Sequence, residues 1–269
     1  MVKPLLALGF IAVIIGVCCG KSLSSEPRNV HIQKAGGSMK YNFYLPLKEA
    51  DDWRQLLAEP ETQWRDGYSA KSLAVTWLEA DGFPKSIKNI FKKTQFQAFK
   101  NMELLAAYPE YPVPLPGGGH ASQNDIFVLA KGDKGLVSVM VEGKVSEDFG
   151  ETVQAWKAKL SAGKKQRLDF MVAKLGLEAK IIDPIRYQLL HRTVSSIIEA
   201  ERYTAPNALV LIHSFSASHE HFDDYVKFLA LFNVVGEKES IVGPIKISGI
   251  DVYFCWATDT PPARVTGDR

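Results

Sequence analysis

Three features of the 269-residue chain predict a mixed α/β (α+β) fold: one sheet flanked by helices, with a helical extension before it. NDIFVLAKG (124–132) and GLVSVMVEGKV (135–145) are apolar runs joined by the turn-forming GDKG, which reads as an antiparallel hairpin. ALVLIHSFS (208–216) and GIDVYFCWAT (249–258) are apolar enough to be buried strands, with a helix between them. Stretches of helical periodicity precede and follow the hairpin, so helices cover the sheet. With 46% hydrophobic and 10% aromatic residues, the chain can bury one sizeable core.

In chain order, YNFYLPL (41–47) reads as a short first strand. KEADDWRQLLAEP (48–60) is a helix stopped at Pro60. YSAKSLAVTWLEADGF (68–83) is a second helix, capped by Ser69 and keeping Leu73, Trp77 and Leu78 at helical spacing. Pro84 opens a third, which the periodicity carries through to residue 108. YPEYPVPLPGGGHASQ is rich in Pro and Gly and is loop or edge strand. After the hairpin, residues 150–177 form two helical pieces broken at Gly163. Residues 183–203 form an amphipathic helix whose core stripe is Tyr187, Leu190, Val194 and Ile198. A helix from about Glu220 to Phe232 joins the last two strands, and residues 259–269 are a tail.

The N-terminus stands apart from this pattern. Residues 1–20 carry Lys3 and then an apolar run from Leu5 to Cys19, the layout of a secretory signal and short for a membrane span. Residues 21–38 are polar, a linker. Either the domain is exported or membrane-anchored through residues 1–20, or Met39 is the functional start and the domain is cytoplasmic. From Met39 on, a single cysteine, Cys255, gives no disulfide framework. The whole chain has 32 basic and 30 acidic residues. Residues 1–38 hold Lys3, Lys21, Arg28 and Lys34 against Glu26, so the remainder has 28 basic and 29 acidic residues, a formal charge of −1. No global basic field draws residues 39–258, the expected single domain, to nucleic acid.

Chemistry concentrates at the end of the hairpin. Strand side chains alternate between faces, so Glu142 and Lys144 share a side, with Gly143 between them leaving its carbonyl approachable. Asp125, near the start of the first arm, and Glu142, near the end of the second, are equidistant from the turn's midpoint and face each other across the strands. Two carboxylates about 5 Å apart repel unless a cation lies between them. Mg²⁺ suits such a site, taking one or two carboxylates, a carbonyl and several waters. A surface ion pair at a strand end is the plainer alternative.

Asp125 followed by Glu142-Gly143-Lys144, set in helix–strand–strand–strand–helix–strand with Asp125 on the second strand and Glu142 to Lys144 on the third, resembles the PD-(D/E)XK nuclease superfamily with its restriction-endonuclease-like fold. Residues from about 39 to 235 are also similar to a bacterial family of uncharacterised proteins placed in that superfamily, through WLEADGFP, PLPGGGHASQND, VEGKVSEDFG and RYQLLHRTVSSIIEAER. The resemblance implies a hydrolase of nucleic acid in which Asp125, Glu142 and the Gly143 carbonyl hold Mg²⁺, with Mn²⁺ as an alternative ion. Lys144 would orient the attacking water and offset charge on the transition state. It also implies an acidic residue on the preceding helix, for which Glu103 and Glu79 are candidates, Glu103 preferred, and a glutamine on the following helix, for which Gln154 is placed. The leading proline of the superfamily's motif is absent, Asn124 standing before Asp125. The fold also hosts inactive binding modules, which is the alternative function.

Other groups have plainer readings. Lys85, Lys88, Lys92, Lys93 and Lys100 fall within roughly 140° of one another on a helix and could track a phosphate backbone, but Phe96 and Phe99 interrupt that face. KAKLSAGKKQR (157–167) is a second basic cluster, read mainly as solvated. GGGH (117–120) precedes a strand rather than a helix, unlike a phosphate-binding loop, which leaves His120 on the surface. His219 and His221 resemble a metal pair, yet the segment also reads as Ser218 capping a helix with Glu220 and Asp223 in its first turn. Arg192, Glu199, Glu201 and Arg202 read as surface charge on a helix.

Overall fold

The computed structural model describes residues 49–262 apart from Asp81. The leader, the linker, the expected strand at 41–47 and most of the tail therefore lie outside the described residues. Six strands form one sheet in the order β1-β2-β3-β4-β6-β5: β1 Glu103–Val113, β2 Ser122–Gly132, β3 Gly135–Lys144, β4 Asn207–Ser214, β5 Ile241–Ile247 and β6 Ile250–Thr258. β1–β2, β2–β3 and β5–β6 pair antiparallel, whereas β3–β4 and β4–β6 pair parallel. A mixed sheet results, with β4 buried along its whole length near the centre.

Strand alternation sends successive side chains to two separate cores. Val137, Val139 and Val141 of β3 join Leu209, Leu211, Tyr253 and Cys255 on one face. The helices α1 (Ala50–Arg54), α3 (Ser69–Glu79) and α4 (Lys85–Lys93) cover that face through Trp53, Trp77 and Phe91. A short α2 (Pro60–Gln63) links the first two, so Pro60 starts a helix rather than stopping one. On the other face Val210, Ile212, Phe254 and Trp256 pack against α6 (Ala162–Leu175), α7 (Tyr187–Arg202) and α8 (Phe222–Ala230). α5 (Val153–Lys157) follows β3 closely, with Thr152 Oγ1 accepting from Ala155 N.

The third expected helix is corrected. α4 ends at Lys93, a 3-10 turn covers Gln97–Phe99, and residues from Glu103 form β1. Phe99 is fully buried and packs on Tyr253, so the apolar periodicity past residue 93 reflects docking onto the sheet rather than a continuing helix. β1 tolerates Pro109 and Pro112 because, among the described residues, it is an edge strand with β2 alone beside it. β5 is a second edge strand that its Gly243 and Pro244 hid from the sequence reading.

Several caps also differ from expectation. Ser69 is the first residue of α3, not its cap, and its N–H is met by Glu147 Oε1 at 3.2 Å. α8 begins after His221, while Ser218 donates to Glu220 instead of capping. Gly163 lies inside α6, which Ser161 caps. Gly163 meets Gly117 backbone to backbone, where a Cβ on either would run into the other's carbonyl. The GGG loop is thus a packing contact onto α6. α7 approaches β3 closely because small polar residues meet there, with Ser138 Oγ donating to the Ser196 carbonyl at 2.8 Å.

Gly143 is required by packing. A Cβ there would sit 2.7 Å from Leu73 Cγ and 3.2 Å from Ser69 Cβ. Gly143→Ala should therefore lower stability by about 1–3 kcal/mol through overpacking, read as a lower midpoint in a denaturant titration. An unchanged midpoint would mean that α3 moves away without cost.

Candidate functional site

The hairpin register brings the expected pair together. β2 and β3 pair through Ile126–Val141, and Asp125 and Glu142 come next on the α7 side of the sheet. They lie at the C-terminal end of β3, where β3 runs parallel to β4, the end at which α/β sheets usually place ligand sites. Asp125 Oδ2 accepts from Gly143 N at 2.8 Å, so Gly143 holds this carboxylate through its amide. Lys144 Nζ lies 2.7 Å from Glu142 Oε1 and 5.0 Å from the centre of the Phe149 ring. Glu142 and Lys144 are only 2% and 4% exposed.

The cation between the two carboxylates is Arg192 of α7. Its Nε donates to Glu142 Oε2 and its Nη2 lies 3.3 Å from Asp125 Oδ1. Reading Arg192 as surface charge is therefore corrected: it is 5% exposed and points into the sheet. The signal was in the helix itself, because Leu189, Arg192, Thr193 and Ser196 fall on one face, and all four are buried. Burial disfavours the guanidinium's charge, yet the Glu142 and Asp125 carboxylates more than offset this and raise its pKa. α7 is fixed to β2 beside this point by Ser122 Oγ, 2.8 Å from His191 Nδ1 and 2.9 Å from Ser195 Oγ. Burial pushes the His191 imidazole well below its ordinary pKa.

The third carboxylate is Glu110, on β1. Glu103 starts β1 opposite Lys131, at the hairpin-turn end, and is exposed, while Glu79 ends α3 and is exposed. Neither joins the site, because the chain from Glu103 runs as a strand and not as the expected helix. Glu110 falls between the pairs Pro109–Ile126 and Tyr111–Asn124, opposite Asp125. Its Oε1 accepts from Trp53 Nε1 at 3.2 Å, and its carbonyl accepts from Gln123. The proline-rich composition of YPEYPVP concealed it as loop.

These groups line a cleft of about 490 Å³ between α7 and the α1–α3 segment, with Tyr68, Ser69, Glu147 and Gln188 on its walls. Burial and then the Asp125 charge push the Glu110 carboxyl up to about 8. Burial and then the Glu142 charge push Asp125 up to about 6. Burial acts on Glu142 in the same direction, but Arg192 and Lys144 hold its carboxyl below the usual range. Three carboxyl groups, of which Glu110 is protonated near neutral pH, thus face two cations. Two polar atoms of residues lining the cleft are buried without a partner among the described residues: Arg192 Nη1 and Gln188 Oε1.

The remaining candidates lie elsewhere. Gln154 is exposed on α5, and His120 is exposed. Among the described residues no three His, Cys, Asp or Glu side chains group closely enough to hold a metal, His219 and His221 included. The basic stretch 85–100 runs from near Asp259, which accepts from Ser86, toward the hairpin turn, where Asn101 bonds Asp133. Its far end therefore points away from the cleft. In 157–167, Lys157, Lys165 and Arg167 are engaged by Asp183, Asp169 and the carbonyls of Pro116 and Gly118. His213 is buried, accepting from Trp77 Nε1 at 3.1 Å and facing Asp259 at 3.6 Å, a tie across the first core.

The carboxylate shifts have a signed consequence. Asp125 and Glu110 bind protons more tightly folded than unfolded, so their contribution is full at acid pH and is lost as pH rises, through about 6 for Asp125 and about 8 for Glu110. In EDTA the wild-type denaturation midpoint should fall between about pH 6 and about pH 8, and Glu110→Gln should flatten that fall. An equal slope in both proteins would show that Glu110 ionises normally.

Among the described residues no helix is long and apolar enough to cross a membrane. No curated protein and no solved structure matches the chain. The family described as a domain of unknown function (DUF6946) matches residues 46–261, which span the α1–α3 segment, the whole sheet and every residue of the cleft, and the chain belongs to that family.

Proposed function

We propose that the protein is a Mg²⁺-dependent phosphodiester hydrolase acting on nucleic acid, with Mn²⁺ as an alternative ion. One observation carries the reading: Asp125 and Glu142 come from adjoining strands onto a single cation, with Lys144 beside them in a cleft. The donor set fits a hard divalent ion, which accepts two carboxylates with waters filling the other positions. The charge balance fits as well. Near neutral pH, where burial keeps Glu110 protonated, Asp125, Glu142 and Glu147 against Lys144 and Arg192 leave one surplus negative charge on the cleft wall, which repels a phosphodiester. A divalent ion reverses that sign.

Asp125 and Glu142 would hold the ion, which when bound supplies Lewis acidity toward a phosphoryl oxygen and a more acidic water. Gly143 N fixes the Asp125 carboxylate. Lys144, anchored on Glu142, offsets charge developing on phosphorus. Arg192 neutralises the carboxylate pair, and its free Nη1 can receive a phosphate oxygen. Cys255 is buried and forms no disulfide among the described residues, which suits a reducing compartment.

A second reading has its own observation. Each oxygen of Asp125 and Glu142 already has a donor within the chain, from Gly143, Arg192 or Lys144. The pair is complete as a structural ion cluster, which suits a binding module without catalysis.

A panel of DNA and RNA substrates with Mg²⁺ or Mn²⁺ separates the two. Wild type should hydrolyse at least one substrate, with Lys144→Ala slower by roughly 10²–10³-fold. Asp125→Asn should lose the heat of Mg²⁺ binding in calorimetry while remaining folded by circular dichroism. Wild type that neither cleaves nor binds the ion would leave only the binding module.

A further inference from the structure

We propose that the cleft takes one nucleotide of a single-stranded nucleic acid, its base stacked on Tyr68 and its phosphate received by Arg192 Nη1; this rests on the hydrolase reading above and names its substrate class. Tyr68 is the large apolar side chain left open on the cleft wall, 45% exposed, at the residue preceding α3. An aromatic face offered to solvent beside a phosphate site is how proteins hold single strands, because every base has a face to stack and a paired base does not present it. Arg192 supplies the other half. It is 5% exposed, lines the cleft, and has its buried Nη1 amino group without an acceptor among the described residues while its other nitrogens engage Glu142 and Asp125. One turn earlier on α7, Gln188 Oε1 is also buried without a donor, an acceptor suited to a base amine or a sugar hydroxyl.

Size and charge argue against a duplex. About 490 Å³ lies in the range for one small-molecule-sized guest. The cations lining the cleft are Lys144 and Arg192, both already paired with carboxylates. A duplex carries one charge per ~1.7 Å of axis and is held by rows of free cations. Here the basic stretch 85–100 leads away toward the hairpin turn, and Lys157, Lys165 and Arg167 of 157–167 are engaged within the chain. Recognition must then come from one stacked base and one or two phosphates.

The test uses the full chain carrying Lys144→Met, which on the hydrolase reading binds without turnover. Fluorescence anisotropy is followed with labelled eight-nucleotide DNA and RNA strands, and with the same DNA as a duplex, in Mg²⁺. Wild type in EDTA serves as a second background should Lys144→Met unfold. A single strand of either kind should bind at least tenfold tighter than the duplex. Tyr68→Ala should weaken it about tenfold or more, while Tyr68→Phe, which keeps the ring, leaves it unchanged. The salt dependence should have a slope of magnitude below about 2, matching one or two phosphates at ~0.7 each. Equal or tighter duplex binding, equal affinity in the Ala and Phe variants, or no binding in either background would overturn the proposal. The two readings fail separately. Tyr68-dependent strand binding by a wild type that never cleaves removes the hydrolase and keeps the nucleotide site, whereas cleavage confined to duplex does the reverse.

Discussion

The Arg192 guanidinium, held between Glu142 and Asp125 with Lys144 on Glu142's other oxygen, is the contact on which the site's order depends. Glu142 is nearly inaccessible, and a buried carboxylate without a partner is costly enough to protonate or to unfold its surroundings. Taking one partner from such a cluster costs about 3–5 kcal/mol, mostly from the charge left behind. Arg192 comes from a helix fifty residues beyond Glu142, so the pairing also fixes how α7 lies on the sheet. The small residues of α7 and β3 follow from this. Ser138, Ser195 and Ser196 let the helix come close enough for the side chain to reach the strand ends, and their hydroxyls bond Ser122 Oγ or nearby backbone carbonyls.

The rest of the fold holds this cluster in place from two sides. On one face Leu73 and Ser69 of α3 press onto Gly143, which sets the strand end where Asp125 can take its amide. On the other, Phe149 lies under Lys144 just after β3. The helices before β1 add more than cover, since Trp53 holds Glu110 and Tyr68 forms a wall of the cleft. The family match begins at residue 46 and so includes those helices with the sheet.

Polar groups buried elsewhere show by contrast what marks the cleft. Trp77, His213 and Asp259 form a chain of contacts resembling a catalytic relay, but His213 is wholly buried in the first core. The His191–Ser122–Ser195 group is likewise used in joining α7 to β2. Unpartnered buried atoms occur in the cores too, His213 Nε2 among them; what marks the cleft is that its carboxyl groups with raised pKa and its residues with unpartnered atoms line a cavity, which is the condition for binding something from outside.

The sequence by itself determined the hairpin and what it presents. Two apolar arms about a GDKG turn leave one register that keeps Val137, Val139 and Val141 buried, and that register sets Asp125 against Glu142 and places Lys144 beside it. The buried strands β4 and β6 and the α7 periodicity were legible for the same reason, that a local pattern decides them. Tertiary structure decided what local pattern cannot. Phe99 docking on Tyr253 ended α4 and released residues 103–113 into an edge strand, carrying Glu103 away and bringing Glu110 in. The cation between the carboxylates came from α7: helical spacing sets Arg192 on a face that meets the sheet, but a charge is buried only where distant carboxylates already offset it, and only the tertiary structure brings those together.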